Sequence, residues 1–347
     1  MLARRISALK YLTTISLPLC LAIALTWRGL WSWLPLAYAF GFIPLMELLF
    51  SPRSENMDAA EEALAKSDPI YDWMIYFMVG LQYGSLIVFL WVISQVSLTL
   101  SESVGLIFGM GLMCGVFGIN VGHELGHRSK KYEKVLAKLA LLSSLYMHFF
   151  IEHNRGHHKR VATEEDPATA RYGELIYSFW GRSIVFSYLS AWKLESVRLS
   201  RKNQKILSWH NEMIRFQVFQ LLLLIGIGLV FGWMAVWYFV PAALIGILLL
   251  ETVNYIEHYG LQRERTEDRY ERVRPQHSWN SDHVLGRLLL FELSRHSDHH
   301  FQASRKYQIL KHHEAAPQMP TGYPGMMVMA LVPPIWFRIM HRKIAAL

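Results

Sequence analysis

Residues 104–128 read VGLIFGMGLMCGVFGINVGHELGHR. The first part, 104–121, carries no charge and is close to the roughly 20 residues that a helix needs to cross a hydrocarbon core. The run then ends on His123 and His127, four apart, with Arg128 behind them. Residues four apart share one face of a helix. A membrane span that finishes in two imidazoles aimed the same way is the pattern from which the rest of the chain is read.

The apolar signal recurs at 11–27, 31–50, 73–96, 216–237 and 238–258. The chain of 347 residues is 52% hydrophobic and 18% charged, against about 25% charged in an ordinary soluble domain. The expected fold is an all-α integral membrane protein: six transmembrane helices and a histidine-rich cytoplasmic cap, as one domain over 1–347. An even number of spans puts both termini on one side, together with the polar segments 128–215 and 261–323. The first of these holds 16 Lys+Arg against 8 Asp+Glu, which marks that side as cytoplasmic. The expected location is therefore a multi-pass protein of a bacterial inner membrane. Arg4, Arg5 and Lys10 precede the first apolar run, and no small-residue cleavage pattern follows it, so a retained helix is expected rather than a signal peptide. The stretch 326–339 is apolar but short and contains Pro333 and Pro334, which suits an interfacial or docking helix.

Several classes drop out. Cys20 and Cys114 both lie in apolar runs and form no CxxC pair, so a thiolate zinc or iron–sulfur centre is excluded. The formal charge of +8 sits in loops beside spans, as expected for loops facing anionic lipid, and no nucleic-acid-binding pattern is present.

Of 16 histidines, most fall in clusters: His123 and His127; His153, His157 and His158; His296, His299 and His300. His258 ends the sixth span. Isolated residues such as His148, His210 and His341 read as surface or hydrogen-bonded side chains. The clusters do not, because gathered imidazoles repel when protonated and cost desolvation when neutral. Metal binding resolves both. Nine imidazoles exceed the four ligands of structural zinc and suit two ions, with iron among the metals that imidazole accepts. Soluble di-iron bundles use Glu and Glu-x-x-His ligands instead. Carboxylates near the clusters, Glu152, Glu257, Asp166, Asp298 and the intramembrane Glu251, are candidates to orient the ligands. Glu124 points about 100° away from its neighbouring imidazole and is expected not to be a ligand. Small residues in the second span, Ala37, Ala39 and Gly41, offer room for a long substrate or for close helix packing. A histidine-rich metal transporter is the non-enzyme alternative, but it would place its ligands near the midplane on broken helices.

The blocks HELGHR (123–128), EHNRGHHKRVATEEDPATAR (152–171), NYIEHYGL (254–261), HSWNSDH (277–283), SRHSDHH (294–300) and PQMPTGYPGM (317–326) closely resemble the membrane-bound alkane 1-monooxygenases, within the histidine-box desaturases and hydroxylases. The resemblance spans about 30–340. It implies two non-haem iron ions, dioxygen, and insertion of oxygen into a terminal methyl group of an alkane drawn from the bilayer. A related desaturase, fatty acid hydroxylase or alkyl-aromatic hydroxylase is the alternative, against which NYIEHYGL and HSWNSDH argue. Two electrons must come from outside, and the resemblance implies a rubredoxin fed by an NAD(P)H-dependent reductase. Because rubredoxins are typically acidic, basic residues near the ligands, Arg155, Lys159, Arg160 and Arg295, are candidates for its docking face.

Overall fold

The structure, a computed structural model, describes residues 8–267 and 269–347, so Arg4 and Arg5 lie outside the described residues. Six helices are long and apolar enough to cross a membrane: α1 (Leu9–Trp27), α2 (Gly29–Leu49), α3 (Pro69–Gln95), α4 (Leu100–Gly126), α8 (Glu212–Phe231) and α9 (Trp233–His258). Between and after them the cap contributes α5 (Lys131–Leu142), α6 (149–160), α7 (Ile176–Ser200), α10 (Val284–Leu289), α11 (His296–Phe301), α12 (Tyr323–Ala330) and α13 (Pro333–Ile344). No strand forms among the described residues; two isolated bridges pair Arg265 with Tyr270 and Asn280 with Gln318.

The span boundaries differ from those expected. The fifth ends at Phe231, and 233–237 open the sixth. Gly232 makes the turn at φ 85°, a left-handed geometry that glycine adopts without steric cost. Hydropathy alone misplaces this turn because the residues on both sides of it are apolar. The third span starts at Pro69, where the Asp68 side chain accepts from the Ile70 amide. The fourth starts at Leu100 on a capping box between Thr99 and Glu102, and it continues through a π-helical segment, Cys114–Asn120, to carry His123 inside the helix.

α4 is the central span, with 72% of its apolar window buried, against 17–33% for the other five. It crosses α9 at very close range. A Cβ on Gly246 would meet Cys114 Cβ at 2.6 Å, and one on Gly111 would meet Ile245 at 2.5 Å. Small residues let two spanning helices approach in this way, and the pair holds the ends that carry His123 and His258 in fixed relation.

The cap is tied to one end of each span. Tyr11 of α1 donates to Glu292 at 2.7 Å, and Glu47 of α2 accepts from the Gly286 amide at 2.7 Å. Lys306 and Arg128 both engage Asp72 at the start of α3, at 2.8 and 3.0 Å. Arg155 bridges Glu195 of α7 and Glu212 of α8 at 3.0 and 3.2 Å. A second apolar core, with Trp279, Tyr323, Met326 and Trp336, seats the cap on Tyr255 and Tyr259 at the end of α9. The apolar stretch expected as one interfacial helix over 326–339 is instead two short helices, α12 and α13, separated at Leu331–Val332.

Candidate metal centre

All nine clustered histidines meet beneath the cap, in two groups. His123, His127, His153, His158 and His299 form one; His157, His258, His296 and His300 form the other. Within each group the candidate ligand nitrogens all lie within 4.8 Å of one another. Facing Nε2 atoms approach closely: His123 and His299 at 2.9 Å, His153 and His158 at 2.9 Å, His127 and His153 at 3.1 Å. In the second group, His157 and His300 stand 3.2 Å apart, as do His258 and His296. Ligands about 2.1 Å from a cation at right angles are separated by about 3.0 Å, so both groups have the spacing of a coordination shell.

The two three-histidine clusters do not each serve one point. Each three-histidine cluster is split two and one. His153 and His158 join the first group while His157 joins the second; His296 and His300 join the second while His299 joins the first. Adjacent residues on a helix point about 100° apart, so His157–His158 and His299–His300 reach to opposite sides. The five-residue separation of His153 and His158 is aligned by a π-helical turn at His153–His157. Such turns are rare and concentrate at functional sites.

Burial and the neighbouring imidazoles push His127, His153, His296, His299 and His300 well below the ordinary histidine range. The same causes bring His158 to about 3. These rings are neutral, with lone pairs facing one another, a donor set that fits borderline transition-metal cations.

The five candidate carboxylates divide sharply. Asp166 accepts from His157 Nδ1 at 2.8 Å and from Thr169 at 2.6 Å. Burial alone would raise its carboxyl, but His157 and these hydrogen bonds outweigh it and hold Asp166 at about 2. The contact fixes the His157 tautomer with Nε2 turned to the group. Glu257 Oε2 lies 3.1 Å from His296 Nε2, and its other oxygen accepts from Tyr323 at 2.8 Å. Among the described residues the other three make no hydrogen bond to the nine rings. Glu152 pairs with Arg160, and burial lifts it to about 7. Glu251 accepts from Tyr146 at 2.9 Å. Asp298 holds His313 at 2.7 Å and Arg305 at 3.2 Å.

Glu124 turns away from both groups, to Arg128 at 2.6 Å and the Tyr307 amide at 3.2 Å. Glu124→Gln is therefore expected to keep its metal and lose stability, by about 1–3 kcal/mol for the disturbed buried pair. Metal analysis beside thermal unfolding checks this, and metal loss equal to that of His123→Ala would contradict it.

Among the basic candidates, Lys159 is exposed, while Arg155 and Arg160 are held by carboxylates but reach the surface. Arg295 is not a surface residue. Its guanidinium is buried against Asp282 at 3.1 Å and the Leu310 and Glu55 carbonyls at 2.9 and 3.0 Å. It braces the start of α11 and is removed from the docking face.

An apolar cavity of about 100 Å³ descends among α1, α2, α4, α9 and the cap to the two groups. Its walls include Tyr38, Ala39, Phe40, Val116, Leu249 and Met327, and its floor holds His123 and His153 of one group and His296 of the other. Ala39 lines it, whereas Ala37 and Gly41 face outward. Asn120, Asn254 and Glu257 supply the few polar atoms near the floor. Sequence reasoning missed Asn120, Asn254 and Tyr323. Tyr323 stood inside a quoted block, PQMPTGYPGM, but nothing local connects it to Glu257, 66 residues earlier.

The HSWNSDH block packs under NYIEHYGL: the Trp279 amide donates to the Glu257 carbonyl at 2.8 Å, its indole to the Tyr259 carbonyl at 3.0 Å, and Ser278 lies 3.5 Å from His258 Nδ1. These two blocks together build one wall of the second group.

Comparison with known proteins agrees with this arrangement. The fatty acid desaturase family matches residues 99–330. Alkane 1-monooxygenase 2 of Pseudomonas aeruginosa is 40% identical over 319 residues, covering 91% of this chain and 85% of the relative. Alkane 1-monooxygenase 2 of Alcanivorax borkumensis is 37% identical over 318 residues, covering 91% and 83%. A xylene/toluene monooxygenase hydroxylase component of Pseudomonas putida is 28% identical over 340 residues, covering 96% and 88%. The alkyl-aromatic alternative is thus the more distant one. With its helical spans, paired imidazole groups and extended identity, the chain belongs to the alkane 1-monooxygenases, within the fatty acid desaturase family.

Proposed function

We propose that the protein inserts one atom of dioxygen into the terminal methyl group of an alkane, giving a primary alcohol and water, with two iron ions held by the nine histidines. The observation that carries this reading is the apolar cavity whose floor exposes imidazoles of both groups. An unactivated C–H bond offers nothing to acid–base groups, and the two irons, when bound, supply the redox chemistry it requires. The protein's own contribution is placement. The walls strip water from the alkyl chain, at about 0.8 kcal/mol per buried methylene, and a passage this narrow admits the chain end-on. The methyl terminus then arrives at His123, His153 and His296 before any internal carbon does. Asp166 keeps His157 oriented, while Glu257, held by Tyr323, stands beside the His296 Nε2 that faces the group. Supplying graded n-alkanes to cells expressing the protein and identifying the products tests the reading: 1-alkanols are expected. Desaturated or internally hydroxylated products would overturn it.

Two electrons and two protons complete the balance, alkane plus dioxygen giving alcohol plus water. The two cysteines present are a buried thiol and a half-buried one in a span, so the electrons need a separate carrier, for which rubredoxin with its NAD(P)H-dependent reductase is proposed. Lys159, with Arg155 and Arg160 beside it, forms the proposed docking face, to which exposed Arg265 adds. Encounter between opposite charges slows as salt rises. Turnover with rubredoxin is expected to fall with ionic strength, and Lys159→Glu with Arg265→Glu to raise the KM for rubredoxin several-fold at unchanged iron content. Kinetics insensitive to both would place the docking face elsewhere.

The cap and both termini are proposed to lie on the cytoplasmic side of a bacterial inner membrane, on the excess of positive charge in the cap. Single cysteines introduced at the exposed positions Lys202 and Arg272 are expected to react with an impermeant maleimide in inverted vesicles and not in intact spheroplasts. The opposite pattern would reverse the orientation.

A further inference from the structure

The C-terminal helix α13 carries a surface that the reaction does not use. Its inner face is anchored: Trp336 packs on Tyr255 and Tyr259, each at 5.3 Å between ring centroids, and His341 bonds the Tyr259 hydroxyl at 2.8 Å. Tyr255 and Tyr259 flank His258, where the span α9 ends. The helix therefore lies at the level where the hydrocarbon core gives way to headgroups.

Its outer face is divided along the axis. Before and at its N-terminus, Val328 of α12, Leu331 and Val332 of the link and Ile335 of α13 are 40–49% exposed, an apolar strip with no protein cover. Toward its C-terminus stand Arg338, Arg342 and Lys343, all exposed. Among the described residues none of these three side chains makes a hydrogen bond or ion pair. Arg338 and Arg342 are four apart, a spacing at which like charges on a helix repel, and an anion between them would relieve that repulsion. The three cations border a groove of about 820 Å³, with Pro320, Pro334, Ile335 and Ile339 as its apolar side.

We propose that this groove binds an anionic phospholipid of the adjoining leaflet, its phosphate between Arg338, Arg342 and Lys343 and its acyl chains along Ile335, Leu331 and Val328. A free anion would use the basic end alone, and an acidic protein partner would have no use for an apolar strip at membrane depth. The continuity of strip and cations, at the end of a span, selects a lipid. Each basic residue near a membrane surface adds about a fivefold preference for anionic lipid.

The test is native mass spectrometry of the full-length, detergent-solubilised protein titrated with phosphatidylglycerol or with phosphatidylcholine of the same acyl chains. The wild type is expected to prefer phosphatidylglycerol by about tenfold or more, undisturbed by millimolar inorganic phosphate. Arg338→Gln with Arg342→Gln and Lys343→Gln should abolish the preference, while Arg201→Gln with Lys202→Gln and Lys205→Gln, on an exposed loop of the cap, should keep it. Arg342→Gln alone, the gentler variant should the triple not fold, is expected to reduce the preference several-fold. Equal affinity for the two lipids, displacement by free phosphate, or equal loss in both triple variants would overturn the proposal.

Discussion

His157→Ala is expected to remove metal from the four-imidazole group and to lower alkane hydroxylation by at least a hundredfold. His157 has two engagements that no other side chain can replace. Its Nε2 faces His300 at 3.2 Å within the group, and its Nδ1 donates to Asp166 at 2.8 Å. Truncation leaves three imidazoles and a buried Asp166 carboxylate without its main partner, which in a site closed to water costs about 1–3 kcal/mol beyond the lost ligand. Iron should fall to about one per chain or less. Asp166→Asn separates the two contributions: the four imidazoles remain, and metal affinity should drop only about 10–100-fold. Elemental analysis and alcohol yield, measured on both variants, check this. A His157→Ala protein with full iron and activity would remove that residue from the centre.

The second large effect concerns chain length. Ala39→Trp should cut kcat/KM for the longest alkanes accepted by about 50-fold, while iron content and activity on the shortest stay near wild type. Ala39 lines the cavity, and an indole there displaces about three methylenes of substrate, each worth about 0.8 kcal/mol, or roughly fourfold. Ala37→Trp is the control, because Ala37 faces outward from the bundle and its indole would sit among lipid. Kinetics on graded alkanes check the pair. A uniform loss over all chain lengths in Ala39→Trp, or the same length shift in Ala37→Trp, would argue against this cavity as the path of the substrate.

The membrane class and the six spans were legible because the relevant signal, an uncharged run long enough for the hydrocarbon core, is local and strong. Where spans meet in a tight hairpin, hydropathy is level across the turn, and only the positive φ of Gly232 locates it. The histidines were legible as a set, since neighbouring imidazoles have few stable fates without a cation. Their partition into five and four was not, because it depends on a π-helical turn at His153–His157 and on helix orientations that bring His158 within 3.1 Å of His299, 141 positions away. Sequence adjacency was a poor guide to which carboxylates touch the rings. Asp166, nine residues from His157, makes the contact, while Asp298, beside His299, is drawn off by His313, Arg305 and the Lys311 amide. Arg295 failed for a related reason. A charge next to a ligand looked like surface, but it lies under the cap among backbone carbonyls.

The chemical proposal rests on two metal positions, one per imidazole group, both occupied by iron. Metal analysis of the purified, full-length protein by mass spectrometry, normalised to amino-acid analysis, tests this most directly. Close to two irons per chain is the expected result. Stoichiometric zinc with no iron would contradict it.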